Sequence, residues 1–402
     1  MIKQYVRYEK EFVSRTSPNI SINDVKFVPN ATICVDAADV SGVVYDASGN
    51  LCDASITYRF GGHTSIPRFT PPCLRITRNC DFLDETVVFA GGGYIFSHFG
   101  HFLLEGLARL YPALDEKYKN IKFVFIVGRK TKSLPTFVMN FLSGLGIGPD
   151  RIILINKTTR FRGVYVPPQG AVITQYISPV MGPVYDAISQ NLGNADIETY
   201  DKIYLSRGKM NDGRTFGENK IEKIFYKNGY KIIYPEKLPL SHQITLARNC
   251  KYMAGTAGTA LHLALFMRAP GTVIQIKRNS LPGDSAEIQN DICVARDLDF
   301  IYIAGSIEKI PTAHFTSQPQ ILGVTPEMLR FFNDYKFWVS VPQLSFNRDA
   351  WEKYEMQMQK YNRHQKYKKI VKPIARFVSI FGITKYYRQQ VREYITHILH
   401  AD

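Results

Sequence analysis

The side chains best placed for chemistry are His101 and Glu105, in the stretch SHFGHFLLEGLARLYP at 97–112. They stand i,i+4, and Arg109 repeats the spacing, so a helix here carries all three on one side. A histidine beside a carboxylate can take up and return a proton, which is acid–base chemistry. Leu103, Leu107 and Leu110 occupy the other side and read as core. Gly91, Gly92 and Gly93 precede the helix and Gly100 adjoins His101, so backbone can approach a ligand there. The same spacing also suits a plain ion-pair ladder on a helix surface, and the rest of the chain must decide between the two.

The body that positions this helix has 402 residues, formal charge +15, 45% hydrophobic residues and 13% aromatic ones, enough for two globular domains. There is no run of eighteen apolar residues, and the start MIKQYVRYEKEF lacks the apolar centre of a signal peptide. The expected location is therefore cytoplasmic. Cys34, Cys52, Cys73, Cys80, Cys250 and Cys293 form no CxxC pair, which argues against a zinc ribbon or redox motif and predicts buried free thiols.

Residues 1 to about 90 are rich in Val, Ile, Thr and turn formers, predicting an irregular β-rich leading region. Beyond Leu83 the pattern alternates: the run VVFAGGGYIF, the His101 helix, the strand KFVFIVG, the helix TFVMNFLSGLGI, then RIILINK and VYVPP. Short apolar strands between helices predict an α/β fold with a parallel sheet covered on both faces. A second such unit starts near Lys202 with KIYLSRG, the helix NKIEKIFYKNGY, KIIYPEKL, a helix capped at Ser241, KYMAGTAG, the helix TALHLALFM and TVIQIK. The connection at 179–191 is the expected boundary. The turns SRGKMNDGR and AGTAGTA fall at strand ends, where ligands bind in such sheets.

These motifs resemble the family 61 glycosyltransferases. The resemblance rests on His101-Phe-Leu-Leu-Glu105, Tyr204-Leu-Ser206-Arg207 with Arg214, and Pro235-Glu236-Lys-Leu-Pro-Leu-Ser-His-Gln243. It continues through Gly255-Thr-Ala-Gly258-Thr-Ala-Leu-His262 and Leu265-Phe266 before Pro270-Gly271-Thr272, covering roughly residues 85 to 280. The family's small-residue turn usually opens on a histidine that this chain lacks, with His262 near the family's asparagine, and His98 stands where the family has an asparagine.

The resemblance implies a GT-B-like fold of two Rossmann-like domains facing a cleft: 1–185 on the acceptor side, 186–330 binding the nucleotide sugar, and a helical basic segment at 331–402. It further implies an inverting glycosyltransferase moving a sugar from a nucleotide-sugar donor to a glycan or lipid-linked glycan acceptor, in capsule or lipopolysaccharide biosynthesis. Glu105 or His101 would be the base. Ser206, Arg207, Arg214, Glu236, Gly255, Gly258, Thr259 and His262 would bind the donor, with the arginines and turn amides facing its phosphates.

No metal or other cofactor is expected. Asp297-Leu298-Asp299 spells a metal-binding pair but precedes the strand FIYIAG, and His98-Phe-Gly-His101 lacks a third ligand. From Trp351 the chain turns basic, with Lys366, Lys368, Lys369, Lys372 and Arg376 beside Ile370, Val371, Ile374, Phe377 and Phe381. Such a helix suits either an anionic membrane surface, giving a peripheral position on the inner face of the cytoplasmic membrane, or packing on the body. Two rival readings are a catalytically inactive scaffold of the same fold and a basic nucleic-acid-binding protein, although no nucleic-acid-binding motif is present and no such partner is expected.

Overall fold

In the computed structural model, the apolar runs of the first half form one seven-stranded sheet. The structure describes residues 17–36, 41–59, 66–67, 80–92, 98–128, 131, 133–210, 214–279, 286–308, 318–340, 343 and 347–380. Its strands are β1 (Lys26–Pro29), β2 (Thr32–Asp36), β3 (Ser41–Tyr45), β4 (Asp81–Gly92), β5 (Lys122–Ile126), β6 (Ile152–Ile155) and β7 (Thr159–Val166). The order is β3-β2-β7-β4-β5-β6, with β1 also on β7.

Strands β4, β5, β6 and β7 pair in parallel, as alternation with helices requires, but β1 and β2 join β7 antiparallel and β3 joins β2 antiparallel. The sheet is thus mixed. The reason lies in the leading region: β2 ends at Asp36 and β3 starts at Ser41, too close in sequence for a crossover, and such pairs run antiparallel.

The second sheet is wholly parallel: β8 (Lys202–Leu205), β9 (Lys231–Ile233), β10 (Tyr252–Thr256), β11 (Thr272–Lys277) and β12 (Asp299–Ala304), in the order β9-β8-β10-β11-β12. Helices Glu218–Lys227, Leu240–Asn249 and Ala286–Ala295 make its crossovers. The first stops near Gly229 at φ +84°, a left-handed position that suits glycine after a helix. The helix expected to be capped at Ser241 begins one residue earlier, at Leu240, with Pro239 before it.

Both sheets draw on one buried cluster. Phe141, from the helix Thr136–Gly144, stacks on Phe266 at 5.9 Å, and Tyr185 meets the same ring edge-on at 6.4 Å. Tyr185 belongs to the helix Gly182–Leu192, which overlaps the 179–191 connection and buries Val184 and Ile188 as well.

Two compact units divide the chain. The first comprises Met1–Ser206, Phe225–Lys277 and Gly283–Ala304, and so holds both sheets; the second comprises Arg207–Ile224, Arg278–Pro282 and Gly305–Asp402. In the second, the two-residue strands Thr215–Phe216 and Gln320–Ile321 pair in parallel. The helix Pro326–Asp334, capped by the Thr325 hydroxyl, and the long helix Arg348–Ile380 belong to it. Among the described residues no helix is long and apolar enough to cross a membrane, and Cys34, Cys52, Cys250 and Cys293 are free thiols.

Candidate active site

The chain enters the site after the carboxyl end of β4. His98 precedes a single α-turn, Phe99–His101, and its Nδ1 accepts from the His101 amide at 3.4 Å. A π-turn, Phe102–Gly106, follows, closed by the Leu107 amide donating to the Phe102 carbonyl at 2.9 Å. Such wide turns are rare and recur at functional sites. Gly106 makes this one feasible, because a Cβ there would stand 2.3 Å from the Phe102 ring. Phe102, Leu103 and Leu104 are buried, and Phe102 packs on Phe137 and Phe141.

This anchoring fixes the two reactive side chains. His101 Nδ1 lies 2.7 Å from Glu105 Oε2, with the Glu105 side chain 2% exposed and that of His101 27% exposed. The imidazole is therefore the accessible member and the carboxylate its buried partner. A carboxylate on one ring nitrogen fixes the tautomer and the orientation of the ring.

Arg109 does not join them, contrary to the regular helix that its spacing predicts. The helix ends with the π-turn, and Arg109, 3% exposed, instead donates to the carbonyls of Ala54 at 2.6 Å, Ile56 at 2.9 Å and Pro167. Burial pulls its pKa down to about 10. Arg109 is a staple holding the leading region to the sheet. Leu103, Leu107 and Leu110 are all buried, as the pattern predicts.

The second sheet brings its small-residue turn to the same place. A Cβ on Gly100 would lie 2.4 Å from Thr259 Cγ2 and 3.1 Å from His262 Cδ2, so the His101 turn and the Thr259 segment touch through glycine. Thr259 starts a 3-10 helix, Thr259–Phe266, where the sequence predicts a helix. His262 on it is 6% exposed, and its Nδ1 meets Gln289 Oε1 at 3.3 Å. Burial above all, with the nearby charges of His101 and His98, lowers the His262 pKa to about 4, although the Gln289 bond opposes the shift. The rings of His98 and His101 are 4.6 Å apart. His98 and His262 thus both lie near His101.

The other expected donor-binding residues divide between the units. In the first, Ser206 is buried at the end of β8, its amide donating to the Ile233 carbonyl at 2.8 Å. Gly255 lies in β10 opposite Leu205, where a Cβ would stand 2.7 Å from the Leu205 carbonyl oxygen, and Gly258 leads into the Thr259 helix. Glu236 is exposed on the turn Pro235–Lys237. Gln243 Nε2 ties that turn by donating to the carbonyls of Pro235 and Leu238, both at 3.0 Å.

In the second unit, the Arg207 amide donates to Glu218 Oε2 at 3.2 Å, and the Arg214 carbonyl accepts from the Gln320 amide at 2.7 Å. Arg278 Nη1 reaches Thr215 Oγ1 at 3.4 Å, so a third arginine lies beside Arg214.

Sequence reasoning missed Gln289, Arg278 and Glu218. Gln289 had a signal: Ala286, Gln289 and Cys293 share a buried helix face, and a polar side chain on that stripe needs a partner. Asp297 and Asp299 sit at the other end of the second sheet, since Asp299 pairs with Thr272 at the start of β11. Among the described residues, no group of three or more His, Cys, Asp or Glu side chains could hold a metal ion.

Residues 99–274 match the family model for Glycosyltransferase 61. The match supports a family 61 glycosyltransferase domain over this stretch, and with it a transferase. It spans His101, Glu105, every expected donor-binding residue and the Gln243 tie; His98, Gln289 and Arg278 fall outside it. A comparison with curated proteins found no match.

Proposed function

We propose that this chain is an inverting, nucleotide-sugar-dependent glycosyltransferase that transfers a hexosyl or pentosyl group to a hydroxyl of a glycan or lipid-linked glycan, in capsule or lipopolysaccharide assembly. The fold proposed for it is GT-B-like. The observation that carries the reading is the 2.7 Å pair of a part-exposed His101 and a buried Glu105 inside the family 61 segment.

His101 takes the acceptor proton through Nε2 as the acceptor oxygen attacks the anomeric carbon, while Glu105 on Nδ1 holds the ring and stabilises the imidazolium. As the carbon–oxygen bond to the nucleoside diphosphate breaks on the opposite side, the leaving group gains negative charge. Arg207 and Arg214 offer forked donors to its phosphate oxygens, and the turn at 255–259 offers backbone amides. His262, kept neutral by burial, adds no charge and shapes the wall.

The experiment is turnover of a nucleotide-sugar panel by the full chain, with and without glycan acceptors. Arg207→Ala and Arg214→Ala should each weaken donor binding or slow turnover about tenfold or more, the loss of one charge-assisted contact. Absence of turnover with every donor, together with unchanged nucleotide binding in both variants, would sink the reading. Activity should survive a chelator; strict manganese dependence would move the leaving-group role to a metal.

A further inference from the structure

The helix Arg348–Ile380 packs on the second unit near its start. Ala350 and Tyr354 are buried with Ile321, and Trp351 and Met358 pack beside them. Beyond that point Lys360, Arg363, Lys366, Lys368 and Lys369 are exposed. Between 356 and 380 the sequence holds seven Lys or Arg and not one Asp or Glu.

The order of residues along that helix is not random. Successive positions on an α-helix turn by about 100°. Within 366–379 the basic positions 366, 368, 369, 372 and 376 then share an arc of about 160°, and positions 370, 371, 374, 377 and 378, which carry Ile, Val, Ile, Phe and Val, share the complementary arc of about 120°. A helix whose positions divide in this way, one arc apolar and the other holding five cations and no carboxylate, matches a surface that is apolar beneath and anionic on top.

We propose that the 360–380 stretch of this helix docks the protein on an anionic lipid bilayer, lying in the interface with the 370–378 stripe toward the acyl chains and the lysines and arginines toward the headgroup phosphates. The charge complementarity selects a bilayer over a second copy of the chain, whose helix would repel this one. The apolar stripe selects it over nucleic acid, which offers no apolar layer. The helix lies on the membrane and does not span it. The inference is independent of the transferase mechanism and gives the enzyme access to acceptors held in a membrane.

The test is sedimentation of the full chain with vesicles of phosphatidylcholine alone and with one third phosphatidylglycerol, at low and high salt. Binding is expected only to the anionic vesicles, falling with salt. A variant with Lys366→Gln, Lys368→Gln, Lys369→Gln, Lys372→Gln and Arg376→Gln should lose at least about tenfold in partitioning. A second variant, Ile374→Ser with Phe377→Ser, should also lose binding, because the stripe supplies the apolar part. Turnover of a soluble acceptor should be unchanged in both. Equal binding to neutral vesicles, no binding at all, or full binding by the Ser variant alongside salt-sensitive binding to DNA or RNA would each overturn the proposal.

Discussion

His101 Nδ1 and Glu105 Oε2 are joined at 2.7 Å across a π-turn, the carboxylate sealed inside and the imidazole part-exposed. Under the proposed reaction this asymmetry orders their roles, with the part-exposed ring as the proton acceptor and the buried carboxylate as the group that sets its tautomer. His101→Asn should lower kcat about 10²- to 10⁴-fold with donor binding intact. Glu105→Gln should lose about 10²-fold or more, because an amide can impose the wrong tautomer, and Glu105→Asp should recover part of the loss. Activity within a few-fold of wild type in Glu105→Gln would leave the pair as a structural contact only.

Gly100 and Thr259 mark where the His101 turn approaches the Thr259 helix. Gly100→Ala places a Cβ 2.4 Å from Thr259 Cγ2, an overpacking that costs about 1–3 kcal/mol. Thr259→Ser removes that methyl, so the double variant should be more stable than additivity allows. Denaturant midpoints of the four proteins in the cycle measure the coupling, and strict additivity would show that the two elements do not meet.

Arg109 tests the distinction between a reactive and a structural cation. Arg109→Met leaves the carbonyls of Ala54, Ile56 and Pro167 without their donor, so a loss of about 2–4 kcal/mol is expected. Limited proteolysis should then cut first in the leading region. Donor KM should stay within about twofold, since the Arg109 guanidinium is committed to the carbonyls of Ala54, Ile56 and Pro167; a large KM effect at unchanged stability would return Arg109 to the site.

Much of this arrangement was legible in the residues. The alternation of apolar runs with helices located β4 to β12, and the spacing of His101 and Glu105 gave their contact, because i,i+4 neighbours meet even when the turn between them widens. Arg109 was misread because the π-turn ends the helix, and nothing in the leucine pattern distinguishes a π-turn from an α-turn. The antiparallel arrival of β1 and β2 on β7 depends on pairing across more than one hundred residues, which local patterning does not encode. The helix expected over TALHLALFM is present, as the 3-10 helix Thr259–Phe266. Phe381 and the residues after it lie outside the described residues, as do Gly93 and Cys73.

The last prediction follows from His262, whose pKa burial lowers to about 4 from an ordinary 6.5. Below pH 6.5 the unfolded chain binds a proton at this residue while the folded one does not, so the folded state is favoured above the unfolded value and loses that advantage as pH falls toward 4. The shift corresponds to about 3 kcal/mol at most, developed between those two values and constant below them. His262→Gln removes the titration while keeping a polar side chain near Gln289. Urea midpoints at pH 7, 5.5 and 4 should therefore converge: the wild type is the more stable at pH 7, and the gap between the two proteins closes or reverses on acidification. The direction is opposite to that of a histidine held charged by a partner, whose stabilisation grows as pH falls. A gap independent of pH would mean that His262 is open to solvent in the folded state, and the closed wall assigned to it beside His101 would be wrong.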